Sequence, residues 1–362
     1  MLTAYAAEKI FTGNDWHDRA AVIVADGKIR QIVSTGDVPE SVPVVQHAPI
    51  IAPACIDIQI YGAAARLFSV YPSAATLAVM NTHCNNGGTK YFLPTIATNT
   101  PAVMRQGIDG VRDYWEGGGK GVPGLHLEGP WINPVKRGAH LESFIHAPRL
   151  EEVRELVAYG KGVIKMITLA PEVCSREIID LIRAHDIIIS AGHSDASFEV
   201  SNDFFADIRL ATHLFNAMSA LHHRQPGLPA AVMLHPEVRV SIVADGYHVD
   251  FAMIRLAKKL MGDRLFLITD AVTPTAEGPY SHVLNGDKYE SSGILSGSAL
   301  TMMKAVKNCV EKCAIPLEEA LRMASLYPAK VLGMDTVTGK IEPGYQADLV
   351  LFDEDFSVLG CV

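Results

Sequence analysis

The sequence predicts an α/β protein, a (β/α)8 barrel of the TIM type with a small flanking β-sandwich built from both chain ends. Two patterns carry that expectation. Eight apolar, β-branched runs alternate with amphipathic stretches at roughly 20–40-residue spacing, the rhythm of parallel strands joined by helices. Each run also has a polar or chemically capable residue near its C-terminal end, as strands that gather their ends round one mouth would. The chain has 362 residues, 49% of them hydrophobic, enough to bury one large core.

Residues 1–50 alternate in the β manner ("AYAAEKIFTG", "AAVIVADGKIRQIV"), with Asp26-Gly27 as a hairpin signal. The last segment, "GKIEPGYQADLVLFDEDFSVLGCV", has the same character, so 1–50 and 336–362 are expected to meet beside a barrel spanning 51–335. The barrel runs are "IAPACIDIQI" (Gln59), "KYFLPTIAT" (Thr95), "GLHLEG" (Glu128), "VIKMITLAPE" (Glu172), "IIISAGHS" (His193), "LATHLFN" (His213), "VRVSIVADGYH" (Asp245, His248) and "RLFLITDA" (Asp270). Segments such as "SREIIDLIRAHD" between them place apolar residues three and four apart, as helices do. An open doubly wound sheet is the alternative. No Gly-rich fingerprint follows the first strand, and the polar ends are spread over all the strands instead of one switch point. Gly117, Gly118 and Gly119 read as a turn before the third strand.

Bulk properties narrow the function. With net charge -9 and no basic stripe, nucleic acid is not an expected partner. No run of about 18 apolar residues exists to cross a bilayer, so no membrane role is expected. The start, "MLTAYAAEKIFTGNDWHD", shows no basic segment followed by an apolar one, and the six cysteines form no C-x-x-C pair. A cytoplasmic, reduced setting is therefore expected, with Cys309 and Cys313 packed on a buried helix face.

Glu128, His193 and His213 close three different strands, and each is followed by a polar or turn-like stretch. Two imidazoles and a carboxylate form a common zinc set that leaves a position open for water. Singly, each histidine reads as a hydrogen-bonded barrel residue; as three ligand-type residues at three strand ends, they read as a metal site. Coordination would also explain a carboxylate at the end of an apolar strand. Asp270 ends the eighth strand, where a carboxylate can take a proton from water and return it to a leaving nitrogen. Its plainer reading is a cap for the following loop.

The motifs "LHLEGPWINPVKRGAH", "SAGHSDAS", "THLFNAM", "ADGYHVD", "ITDAVTPT" and "ILSGSALTM" together resemble the N-acetylglucosamine-6-phosphate deacetylases of the amidohydrolase superfamily, in that family's order. The resemblance implies metal-dependent removal of an acetyl group from a phosphosugar, with Glu128, His193 and His213 binding one divalent ion, zinc by expectation. It implies Asp270 as acid and base, and His140, beside Ala139, and His248 as contacts to the sugar and the reacting carbonyl. Asn216 and Ala217 would hold the phosphate, and Leu295, Ser296 and Gly297 would form a loop over the sugar. It further implies a homodimer in which Arg224 reaches the neighbouring subunit's substrate, while His222 and His223 read as a solvated loop. Many amidohydrolases place His-x-His at the first strand's end; here Asp57, Ile58 and Gln59 stand there, so one ion per chain is expected, with Gln59 hydrogen-bonding near the water or sugar.

Departures from that family's pattern keep two other readings open: a sibling amidohydrolase acting on a cyclic amide, and a catalytically silent scaffold. The first strand reads "PACID", with Ala54 and Cys55 in place of the usual Gly-Phe, and Ala64-Ala65 stand where paired glycines are usual. If that loop needs positive φ, the alanines strain it by about 1–2 kcal/mol.

Overall fold

The computed structural model describes residues 2–275 and 277–362. The expected barrel is present: eight parallel strands follow one another in chain order around one sheet. They are Cys55–Ile60, Thr89–Ala97, Leu125–Glu128, Ile164–Leu169, Ile188–Ala191, Leu210–Ala211, Arg239–Val243 and Leu265–Ile268. The ring closes where Asp270 N–H donates to Gln59 O (3.0 Å) and Tyr61 N–H donates to Ala271 O (2.9 Å). Closure therefore sets the end of the eighth strand beside the end of the first.

The third strand shows how the sequence positions the site. Side chains on a strand alternate between faces, so His126 and Glu128 point the same way while Leu125 and Leu127, both fully buried, point the other. His126 lies one layer below the mouth. Its ring pairs with Ile58 O (3.0 Å) and Thr168 Oγ1 (2.8 Å), and Thr168 in turn pairs with Thr212 Oγ1 (2.9 Å). Burial pushes the His126 imidazole down to about 4, so it serves as a neutral strut. Gly129 then turns the chain at φ +86, where a Cβ would collide with Thr98 Oγ1.

Both chain ends contribute to a single six-stranded sheet in the order Val358–Cys361, Leu349–Phe352, Val44–Pro53, Leu2–Phe11, Trp16–Ala25, Lys28–Ser34. It carries apolar clusters on alternating residues: Ala7, Ile10, Val22, Ile51, Leu349 and Leu351 in one, and Ala4, Ala6, Ala21 and Ile23 in the other. The chain gathers into two compact units. One comprises residues 1–57, 84–91 and 301–362; the other comprises 58–83 and 92–300 and holds every site residue discussed below. The helices Met302–Cys313, Leu317–Ala324 and Leu326–Leu332 thus group with the terminal strands. Cys309 and Cys313 are buried, and none of the six cysteines is in a disulfide. No helix among the described residues is long and apolar enough to cross a membrane.

Two features lie outside the simple alternation. A three-stranded antiparallel sheet, Val283–Asn285, Lys288–Ser291 and Ile294–Ser298, follows the eighth strand. Its first turn is Gly286-Asp287, with Gly286 at φ 66, the Gly-first form of a two-residue hairpin loop. The second is a short hairpin, Gly62–Ala63 with Arg66–Leu67. Its two turn residues are Ala64 (φ 48) and Ala65 (φ 60). A two-residue turn with both φ positive is the form that prefers Asn-Gly, so the strain expected of two alanines is present. Both side chains are exposed, so glycine would remove nothing that packs. Ala64→Gly and Ala65→Gly are each expected to raise stability by about 1 kcal/mol, read as a higher midpoint in denaturant unfolding. A lowered midpoint would refute the assigned strain.

Candidate metal centre and active site

The strand ends converge on a cleft of about 190 Å³ lined by Tyr61, Glu128, Ala139, His140, His193, His213, Asn216, Ala217, His248, Asp270, Leu295 and Ser296, among others. At its floor, Glu128 Oε1 lies 3.1 Å from His213 Nε2 and 3.3 Å from His193 Nε2, and the two imidazole nitrogens are 3.2 Å apart. Ligands about 2.0–2.1 Å from a tetrahedral ion stand about 3.3 Å from one another. The triangle therefore has the spacing that a zinc-sized cation requires.

The surroundings favour the same fit. Glu128 is 1% exposed. Burial alone would favour its neutral form, but His193, with hydrogen bonds from His140, His193 and His213, holds it well below the usual carboxylate range. His193 Nδ1 pairs with Lys136 O (2.9 Å), which orients the ring with its Nε2 toward Glu128 Oε1. His213 Nδ1 is buried without a partner, so that ring is held only through Nε2. Among the described residues this is the one set of three or more ligand-type side chains close enough to share an ion.

The other carboxylate oxygen is closed off. Glu128 Oε2 accepts from His140 Nε2 (3.1 Å) and from the Tyr61 hydroxyl. His140 is itself held by Thr98 Oγ1 (2.7 Å). Gln59 lies behind the cleft wall, and its Nε2 donates to Asp270 Oδ1 (2.7 Å) and Glu128 Oε1 (3.0 Å). One amide thus ties the two carboxylates at a fixed separation.

Asp270 Oδ2 faces His248 Nε2 at 3.4 Å, and His248 Nδ1 is 2.6 Å from Asp245 Oδ2. Asp245 also accepts the N–H groups of Tyr247 and His248, each at 2.8 Å, which fixes the turn that carries the ring. For His248, burial opposes the charge, yet the hydrogen bonds to Asp245 and Asp270 outweigh it and raise the imidazole to about 9. His248 therefore presents an N–H at neutral pH.

The remaining sequence candidates fall in distinct places. His213, Phe215 and Ala217 all have positive φ while Leu214 and Asn216 do not. Such alternation can form an anion-binding concavity where the N–H groups are unpaired, but here the His213 and Leu214 N–H groups donate to Ser241 Oγ and Ser241 O, each at 2.8 Å. The Asn216 N–H already donates to His213 O (2.9 Å). Gly297, at φ +152, would bring a Cβ against Val272, so the strand can pass there only without a side chain. Arg224 is exposed on the loop with His222 and His223 and does not line the cleft. Glu172 is not part of the cleft lining: it receives Ser194 Oγ (2.7 Å), Asp195 N–H (2.9 Å) and Asn133 Nδ2 (3.1 Å), and so braces the His193 turn. Tyr61, Tyr280 and His282 line the cleft without having been singled out in the sequence. Only Tyr61 had a signal, since it lies two residues beyond Gln59 on the same strand face.

A closed parallel barrel with an Asp and a Glu-His-His triad at its mouth defines the class. The chain belongs to the amidohydrolase family, whose model matches residues 50–361. Within that class it is similar to N-acetylglucosamine-6-phosphate deacetylases. That of Haemophilus influenzae is 33% identical over 319 residues, covering 85% of this chain and 83% of the relative. The crystal structure of the Pasteurella multocida enzyme matches with a TM-score of 0.93 at 34% identity, covering 99% of this chain and 98% of that one. An N-acetylgalactosamine-6-phosphate deacetylase from Escherichia coli O157:H7 is 30% identical, covering 99% of this chain and 97% of the relative.

Tyr61 gives this site a testable feature. Burial and the charges of Glu128 and Asp270 push its phenol well above the usual value, so it stays protonated and donates to Glu128 Oε2. With Oε2 occupied, Glu128 offers one oxygen to one ion. Tyr61→Phe is expected to keep one equivalent of divalent metal by elemental analysis but to lose it to a chelator about 10–100-fold more readily. Two retained equivalents in the unaltered protein, or unchanged chelator resistance in the variant, would contradict this role.

Proposed function

We propose that the protein hydrolyses the acetamide of N-acetylglucosamine 6-phosphate to glucosamine 6-phosphate and acetate. The observation that carries this reading is the Glu128–His193–His213 triangle facing the Asp270–His248–Asp245 chain across one cleft. Similarity to deacetylases of this specificity over nearly the whole chain supports the choice of substrate.

Glu128 Oε1, His193 Nε2 and His213 Nε2 would hold one divalent ion, and imidazole with carboxylate suits zinc. When bound, such an ion acts as a Lewis acid and lowers the pKa of water from about 15.7 toward about 7. Asp270 takes the proton of the attacking water as oxygen adds to the acetyl carbonyl carbon. His248 donates from Nε2 to the carbonyl oxygen as it becomes an oxyanion. Asp270 then passes its proton to the amide nitrogen while the C–N bond breaks, releasing acetate and the free amine. Gln59 holds Asp270 in register with Glu128, and His140 fixes Glu128 while lining the sugar's side of the cleft. The alternating backbone at 213–217, with the amides of Asn216 and Ala217, is assigned to the phosphate, and Leu295, Ser296 and Gly297 to the sugar loop.

No lysine or arginine lines the cleft among the described residues, which leaves the phosphate's charge unanswered by the chain's own side chains. Arg224, exposed and outside the cleft, supplies that charge to a neighbouring subunit in this reading, so the enzyme works as a homodimer. Six cysteines outside any disulfide suit a reducing, cytoplasmic setting.

Asp270→Asn keeps the shape and removes the base. It is expected to lower acetate release by about 10²–10⁴-fold with the metal retained, whereas Arg224→Ala is expected mainly to raise KM. Mixing the two variants should recover activity above either parent, because one mixed site has both residues intact. No recovery, or a fully active monomer, would refute the shared site, and near-normal turnover in Asp270→Asn would refute the shuttle.

The state of His248 sets a pH limit. Its folded value, about 9, exceeds the ordinary 6.5, so the protonated ring is favoured in the folded protein. Its contribution to stability is complete below about 6.5 and is lost as pH rises through about 9. The alkaline limb of kcat/KM should fall near pH 9, and His248→Asn should lower the rate and abolish that limb. A limb unchanged in the variant would assign it to another group.

A further inference from the structure

We propose that His282 reads a hydroxyl on the C3–C4 edge of the substrate's sugar ring and so helps decide which hexosamine 6-phosphate the enzyme accepts. This role rests on the deacetylase reading above. His282 is 6% exposed and forms part of the cleft wall with Tyr280, Leu295 and Ser296. Its Nδ1 lies 2.9 Å from Ser296 Oγ, and its Nε2 makes no hydrogen bond to any described residue. The Nε2 of a largely buried ring that lines a cleft and lacks a protein partner is available to a ligand atom.

The ring is held in place from several sides. The backbone of His282 bridges to that of Thr275, Ser296 holds Nδ1, and the Tyr280 ring lies parallel, 5° in tilt with centroids 6.3 Å apart. Tyr280 is anchored in turn: its hydroxyl donates to Thr98 O (2.6 Å) and accepts the Leu141 N–H (3.4 Å). The wall is therefore tied to the end of the second strand and to the loop that carries His140.

The chemistry of the ring selects its ligand. Burial lowers the His282 imidazole to about 4, against a smaller opposing effect of Asp270. At neutral pH it is uncharged, with one N–H and one lone pair, so it neither pairs with the phosphate nor donates a catalytic proton. Its natural partner is a hydroxyl, which can donate or accept, and Ser296 can rotate to suit either tautomer. In an N-acetylhexosamine 6-phosphate the acetamide goes to the metal centre and the phosphate to the 213–217 turn. The hydroxyls at C1, C3 and C4 remain. A fixed reader at C1 would reject one of two interconverting anomers, which leaves the C3–C4 edge. C4 is where the gluco and galacto sugars differ, and relatives of both specificities resemble this chain.

The test measures acetate release by the metal-loaded enzyme from N-acetylglucosamine 6-phosphate, its C4 epimer and its 3-deoxy and 4-deoxy analogues. Unaltered protein should prefer one configuration, and His282→Phe should raise KM for it about 5–100-fold with kcat within a few-fold. The preference at C3 or C4 should collapse toward one. His282→Gln, whose amide reaches the Nε2 position, should restore part of it. If His282→Phe melts below the unaltered protein, His282→Gln and Ser296→Ala carry the comparison. Unchanged preference in folded variants, or a fall in kcat alone, overturns the role of His282 while leaving the deacetylase reading intact. Failure of the unaltered enzyme to release acetate from any of the four sugars overturns both.

Discussion

The interaction on which the rest of the site depends is the burial of one carboxylate. Glu128 sits at the end of an apolar strand with 1% of its surface exposed, where an unpaired charge would cost several kcal/mol. Its two oxygens meet His193, His213, Gln59, His140 and Tyr61. Those partners come from the first, fifth and sixth strand ends and from the loop after the third. A closed ring of strands brings such distant residues to one point, which an open sheet does only at a switch point. The division of labour between the oxygens also sets the metal chemistry. Oε1 faces the imidazoles, whereas Oε2 is already saturated by donors.

Backbone conformation contributes as much as side-chain identity. His193 (φ 49), His213 (φ 34) and Asp270 (φ 53) all lie in the left-handed region, unusual for residues with a Cβ. Each is the residue where a strand leaves the barrel and its side chain turns into the mouth. Left-handed backbone costs of order 1–2 kcal/mol per residue, and strain of this kind persists where surrounding bonds over-determine it. Here the bonds are visible: Asp270 is pinned by Gln59 O on its own N–H, and His213 by Ser241 Oγ on its N–H (2.8 Å). The same turn that aims His213 continues as the alternating backbone at 215 and 217, so in the proposed reading the metal ligand and the phosphate segment share one chain reversal.

Much of this was legible in the sequence, for a physical reason. A polar residue at the end of an apolar run is expensive unless it is used, and Glu128, His193, His213 and Asp270 each stand out against such a run. The same logic misjudges residues used for support. Glu172 also closes an apolar run, in the short 3-10 turn Pro171–Val173 just past its strand, yet it serves the backbone of the His193 turn, and nothing in its own segment distinguishes bracing from chemistry. Ala64-Ala65 was legible as a departure, and the structure supplies the positive φ values that make it a strained one. His282 and Tyr280 were illegible. They lie in an irregular stretch after the eighth strand, without periodicity, and reach the cleft only because Tyr280 bonds across to Thr98, 182 residues away.

The charge balance of the cleft follows from these placements. Its floor has the spacing of a cation site, Asp270, His248 and Asp245 form one hydrogen-bonded chain, and its remaining wall offers neutral groups: phenols, hydroxyls and a low-pKa imidazole. In the proposed reading, a dianionic phosphate brought into such a space meets no cationic side chain among the described lining residues. Backbone dipoles can position an anion, yet they do not neutralise it. The neutral wall matters for the same reason. In the proposed reading, where the 213–217 turn anchors the phosphate and the Glu128–His193–His213 triangle the acetamide end, a cation on the wall would compete for the phosphate. Neutral hydrogen-bonding groups can read the ring between those two anchors without competing for either charge.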